Sequence, residues 1–146
     1  MTVLALLLAA VLTAIAALHV YWGIGGVWPG SDPKSCARAV AGFAGIEAMP
    51  SMGAAFAVAA AIIAAALVAL ALGGLFASPF EQVPLAGAAL FIGLVFVGRG
   101  IAGFTPAWRR LASEMPFARL DMRYYSPLCL VIGASFVLLA VQGLPQ

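Results

Sequence analysis

Residues 53–76 read GAAFAVAAAIIAAALVALALGGLF, without one charged side chain. A helix rises about 1.5 Å per residue, so roughly 20 apolar residues cross a hydrocarbon core of about 30 Å. This stretch is long enough to span a membrane, and three others follow the same rule. Residues 2–25 are also free of charge, residues 83–104 carry Arg99 alone, and the shorter run 127–141 carries none. Lipid cannot satisfy an exposed backbone, so each span is expected to be helical, and the period-two alternation of a membrane barrel is missing. The fold predicted is all-α: a four-transmembrane-helix bundle forming a single integral membrane domain over residues 1–146.

The composition agrees. Apolar residues make up 65% of the chain and charged residues 8%, with a mean hydropathy of +1.14. Soluble domains hold about 45–50% and about 25%. Seven Lys and Arg against five Asp and Glu leave a net charge of +2, too little for a polyanion-binding surface. A soluble enzyme, a nucleic-acid binder and a disordered tail are excluded. The first span lacks a basic leading region and its apolar run is too long for a secretory signal, so it is expected to remain as a span.

The connections are uneven. Ser78, Pro79, Phe80 and Glu81 make a tight turn between the second and third spans, whereas the other two connections are long. Asp32-Pro33 and Thr105-Pro106 are helix-start signals, a capping residue before proline at the first helical position. Both predict short interfacial helices. After Thr105, Trp108, Leu111, Ala112 and Met115 fall on one side, with Arg109, Arg110, Ser113 and Glu114 opposite. Ser126-Pro127 is expected to start the fourth span by the same logic. Gly93, Gly98, Gly100 and Gly103 suit close helix approach in the third. Two long connections alternating with one short turn permit a pair of helical hairpins.

Four spans put both long connections on one side, and these hold Lys34, Arg38, Arg109, Arg110, Arg119 and Arg123. The positive-inside tendency then places them in the cytoplasm and both termini outside. Uncommon side chains gather at the same end: His19, Tyr21, Trp22 and Trp28 close the first span, Arg99 lies near the end of the third, and Asp121, Arg123, Tyr124 and Tyr125 precede the fourth. These nine are the candidate ligand-binding residues.

Three readings of Arg99 stay open. Its side chain reaches the interface by snorkelling, or pairs with Asp121 or Glu47, or binds an anionic or carbonyl-bearing ligand. His19, the sole histidine, fits a proton shuttle, a single axial haem ligand, a contact to a quinone carbonyl, or a hydrogen bond to a neighbouring helix. One histidine cannot make a zinc site, and no CxxC pair accompanies it. No metal or nucleotide motif is present. The aromatics Tyr21, Trp22, Trp28, Trp108, Tyr124 and Tyr125 also read as an interfacial belt. Gly25-Gly26 ends the first helix in a tight turn. Cys36 and Cys129 are free thiols in a cytoplasmic setting and a possible disulfide outside it. Met49, Met52, Met115 and Met122 allow either a copper(I) path or simple filling of the interface.

The string His19-Val-Tyr21-Trp22-Gly-Ile-Gly25-Gly26-Val-Trp28-Pro29 resembles the opening motif of the domain-of-unknown-function 3995 family, small four-span bacterial membrane proteins. Arg99, then Phe117-Ala-Arg-Leu-Asp121 and Tyr124-Tyr125-Ser126-Pro127-Leu128-Cys129, resemble its later motifs. The resemblance implies a four-helix fold, a bacterial source and no activity; with the spans, the expected location is the bacterial inner membrane. Three functions remain in view. The first is binding of a lipid, quinone or similar amphipathic ligand at the cytoplasmic end, with Arg99 on its head and His19, Trp22 and Tyr124 shaping one pocket. The second is an accessory subunit of a larger membrane complex, or a homo-oligomer, packed through small-residue faces. The third is a small membrane enzyme using His19 as general acid or base, supported by Tyr124 or Asp121.

Overall fold

A computed structural model describes residues 1–78 and 80–143. Every element among them is helical. In chain order they are α1 (Thr2–Gly23), α2 (Pro33–Val40), α3 (Met52–Leu72), α4 (Gln82–Ala102), α5 (Pro106–Leu111), α6 (Phe117–Leu120), a π turn (Asp121–Tyr125) and α7 (Ser126–Gln142). Four stretches are long and apolar enough to cross a membrane: α1, α3, α4 and the continuous path Phe117–Gln142. Pro79, one residue of the expected tight turn, lies outside the described residues.

Helices α1 and α3 end earlier than their apolar runs because each meets a glycine pair. Beyond α3, Gly74 has φ +72°, its N–H donates to Ala71, and the Leu75 N–H reaches back to Leu70. This left-handed turn absorbs orphan carbonyls, and glycine enters it without a Cβ penalty. Gly25, with φ +95°, ends α1 by the same geometry, Gly26 N–H donating to Tyr21 O at 2.9 Å.

Two antiparallel hairpins form the bundle. In the first, α1 lies along α3: the Thr2 hydroxyl donates to Gly73 O at one end, and Gly23 meets Phe56 at the other. In the second, α4 lies along α7 with backbones almost touching. A Cβ on Gly93 would lie 3.0 Å from Gly133 O, and one on Gly133 would lie 2.8 Å from Gly93 O. Gly100 and Gly103 give way to Leu130 and Ser126, while Gly98 faces open space. Three of the four expected small-residue positions therefore serve this interface. Leu8, Leu12, Ala66, Ala69, Phe136 and Leu139 tie the hairpins into one core. Most other apolar side chains point outward, Phe91 and Val3 among them. A water-soluble chain could not leave so much apolar surface bare; here lipid covers it.

The long connections build a cap over one end. Asp32 accepts from the N–H groups of Lys34 and Ser35 while the Ser35 hydroxyl closes a reciprocal capping box. Thr105 accepts from Trp108 N–H at the start of α5. The two connections then join: Ala44 N–H donates to Leu111 O, Glu114 N–H to Gly42 O, and Gly45 N–H to Glu114 Oε1. Arg38 meets Glu114 and Glu47, and Lys34 meets Glu47.

Ser126 departs from its expected role. It does not cap α7, because Tyr125 and Ser126 both keep helical angles and the chain enters α7 directly from the π turn. Its hydroxyl is used across the bundle instead.

Candidate functional site

The capped end carries two separate constellations. The first surrounds Arg99, in the last turn of α4. Its Nη2 donates to Asp121 Oδ1 at 2.6 Å and its Nη1 to Ser126 Oγ at 3.2 Å. The Ser126 hydroxyl in turn donates to Asp121 Oδ1 at 3.2 Å, and Trp108 Nε1 donates to Oδ2 at 3.0 Å. The Trp108 ring lies 4.5 Å from the guanidinium carbon, adding a cation–π contact. Asp121 is 1% exposed, so a buried carboxylate meets a cation and two neutral donors. Such a pair holds where its remaining hydrogen-bonding capacity is also met. Of the three readings of Arg99, the structure shows the pairing with Asp121. Glu47 binds Lys34 and Arg38 instead.

The second constellation lies where α1 meets α3. His19 Nδ1 sits 2.8 Å from the carbonyl of Ile15, one turn earlier. A carbonyl only accepts, so Nδ1 carries the proton, and in the neutral ring Nε2 is an acceptor. The His19 and Trp22 rings meet edge to face at 5.2 Å. Both line a cavity of about 200 Å³, together with Val40, Met49, Pro50 and Ala54. Its wall is mostly apolar and carries a histidine ring, the mix of surfaces that an amphipathic molecule matches.

The remaining candidates divide between these two centres and the rim. Tyr21 and Trp28 brace the turn that closes α1: Trp22 Nε1 donates to Trp28 O at 2.7 Å, and Trp28 N–H to Tyr21 Oη at 3.3 Å. Cys36 is fully buried beneath it, its Sγ 3.6 Å from Trp28 O, and burial pushes the thiol above the usual range. Tyr125 donates to Ala39 O at 3.4 Å, linking the two connections, and packs on Phe117. Tyr124 and Arg123 are exposed, the cation 5.5 Å from the ring. The single pocket expected from Arg99, His19, Trp22 and Tyr124 is therefore not formed. Arg99 and Tyr124 do not line the His19 cavity, because α1 and α4 belong to different hairpins. Cys36 and Cys129 are both free. Among the described residues, no three His, Cys, Asp or Glu side chains gather into a metal-holding group.

A further hollow of about 310 Å³ opens between α2 and the Met115-Pro116 turn. Its charges serve the cap itself. The Ser35 N–H and hydroxyl hold Asp32 below the usual carboxylate range, and Lys34 does the same for Glu47.

Sequence reading missed Ser126 as a partner of Arg99 and Asp121, and Met49 and Pro50 as cavity walls. Ser126 lies five residues from Asp121, a spacing that puts two side chains about 140° apart on an ordinary helix. Only the π turn brings them together.

Comparison with known proteins gives a family match. The family described as "Protein of unknown function (DUF3995)" covers residues 2–136. Neither a curated protein nor a solved structure matches the chain.

Proposed function

Since the chain belongs to the DUF3995 family, whose description assigns no activity, we propose a function from the geometry: the protein binds the hydroxyl-bearing end of an amphipathic membrane molecule in the His19 cavity. The observation that carries this reading is the bond from His19 Nδ1 to Ile15 O beside that cavity. It commits one ring nitrogen and leaves Nε2 to accept from a ligand O–H. A reduced quinol or a lipid alcohol suits that acceptor, whereas a quinone carbonyl suits it only when the ring is protonated. Trp22, Met49 and Pro50 would enclose the adjoining chain. Asp121, Arg99 and Trp108 hold the cap in place and make no ligand contact in this reading.

The charge distribution supports placing this end in the cytoplasm of a bacterial inner membrane, with both termini outside. Reporter fusions at the C-terminus test that orientation.

Trp22 supplies the test of binding. The protein in detergent is titrated with a long-chain alcohol brominated a few carbons from its hydroxyl and with the alkane of equal length brominated at the same carbon. The alcohol is expected to quench Trp22 more strongly, with the preference lost in His19→Phe and the signal lost in Trp22→Phe. Equal quenching by both compounds contradicts the proposal.

A further inference from the structure

The seven cationic side chains are not equivalent. Lys34 and Arg38 pair with Glu47 and Glu114, and Arg99 pairs with Asp121. The other four all lie within residues 109–123. Arg109 leans on Ala118 O at 3.5 Å. Arg110, Arg119 and Arg123 are exposed, and among the described residues none of the three has a carboxylate partner. Both acidic groups of this segment are already committed, Glu114 to Arg38 and the Gly45 N–H, Asp121 to Arg99 and Trp108.

Apolar side chains stand exposed among these cations: Leu111, Met115, Met122 and Tyr124 are each about half exposed (54, 50, 44 and 53%). The segment is tethered at both ends to membrane helices, following α4 and running into α7. It is also braced from within, since Trp108 reaches Asp121 and Arg109 reaches Ala118. The cations are therefore presented by a fixed element at the membrane boundary. Cations at headgroup depth beside inserted apolar side chains match an anionic bilayer surface, which attracts basic groups in a salt-dependent way.

We propose that residues 106–125 form a contact surface for anionic phospholipid headgroups, with Arg110, Arg119 and Arg123 on the phosphates and Leu111, Met115 and Met122 in the adjoining acyl region. This surface is separate from the His19 cavity, and neither reading depends on the other.

Spin-labelled phosphatidylglycerol and phosphatidylcholine, compared by electron paramagnetic resonance on the full chain in phosphatidylcholine vesicles, test it. The wild type is expected to prefer phosphatidylglycerol by roughly fivefold, with most of the preference lost in high salt. The Arg110→Gln, Arg119→Gln, Arg123→Gln triple variant is expected to fall below roughly twofold. The charge-neutral Lys34→Gln, Glu47→Gln variant is expected to keep the wild-type value. Should the triple variant not fold, Arg119→Gln and Arg123→Gln alone are each expected to lower the preference. No preference in the wild type, full preference in the folded triple or single variants, or equal loss in the charge-neutral variant would overturn the proposal.

Discussion

Asp121 and Ser126 stand five residues apart, yet the Ser126 hydroxyl donates to Asp121 Oδ1 at 3.2 Å. The π turn makes this contact by widening the helix, the Ser126 N–H bonding to the Asp121 carbonyl. π turns of this kind interrupt α-helices at sites with specific demands. The demand here is Arg99, a charge within a membrane-length helix that needs both groups.

Breaking this cluster on one side leaves a buried charge without its partner. Asp121→Ala is expected to lower stability by about 3 kcal/mol or more. The double variant Arg99→Met, Asp121→Leu is expected to be more stable than Asp121→Ala, because no orphan charge remains. Thermal unfolding in detergent measures both. Lys34→Gln, at an exposed pair, is expected to change stability by less than about 1 kcal/mol.

The glycines along α4 and at its C-cap, Gly103, separate by what they face. A Cβ on Gly103 would land on the Ser126 hydroxyl, and one on Gly100 on Leu130, so either change to Ala is expected to loosen α4 from α7. Gly98 and Gly87 face open space. There, alanine is expected to leave stability unchanged or raise it by up to about 1 kcal/mol. A four-variant melting series checks the contrast.

Cys36 predicts a pH dependence. Burial raises its pKa in the folded chain, so the folded state keeps the proton that the unfolded state gives up. Its contribution is fully present below the ordinary thiol pKa and is lost as pH rises through the raised folded value. Stability is expected to fall above about pH 8.5, and less steeply in Cys36→Ala. Melts across that range, with the wild type and variant side by side, measure the difference. Maleimide is expected to label Cys36 only slowly in the folded protein.

Much of the fold is legible in the sequence because its strongest signals are physical lengths. The four apolar runs locate the spans, and Asp32-Pro33 and Thr105-Pro106 locate the cap helices. The ends of α1 and α3 depend on which glycine turns left-handed, something hydropathy does not encode. Ser126-Pro127 looks like another cap signal, but proline at this position is also accommodated where a π turn feeds the helix. For the site, the pairing of Arg99 with Asp121 was one of several readable options. That His19 and Arg99 occupy different centres follows from hairpin pairing, which no local motif carries. Trp108 is a headgroup anchor by composition; its bond to Asp121 exists only because α5 folds back beside the π turn.

A hydroxyl-bearing amphipath proposed for the cavity between α1 and α3 would leave the membrane together with the protein. Native mass spectrometry of the protein gently extracted from its own membranes detects such a passenger, with Ala54→Phe, on the cavity wall, as the blocked comparison. One discrete lipid-sized adduct is expected on the wild type, absent from an Ala54→Phe variant of unchanged melting temperature. A bare wild-type protein, or the same adduct on both proteins, would contradict the proposal.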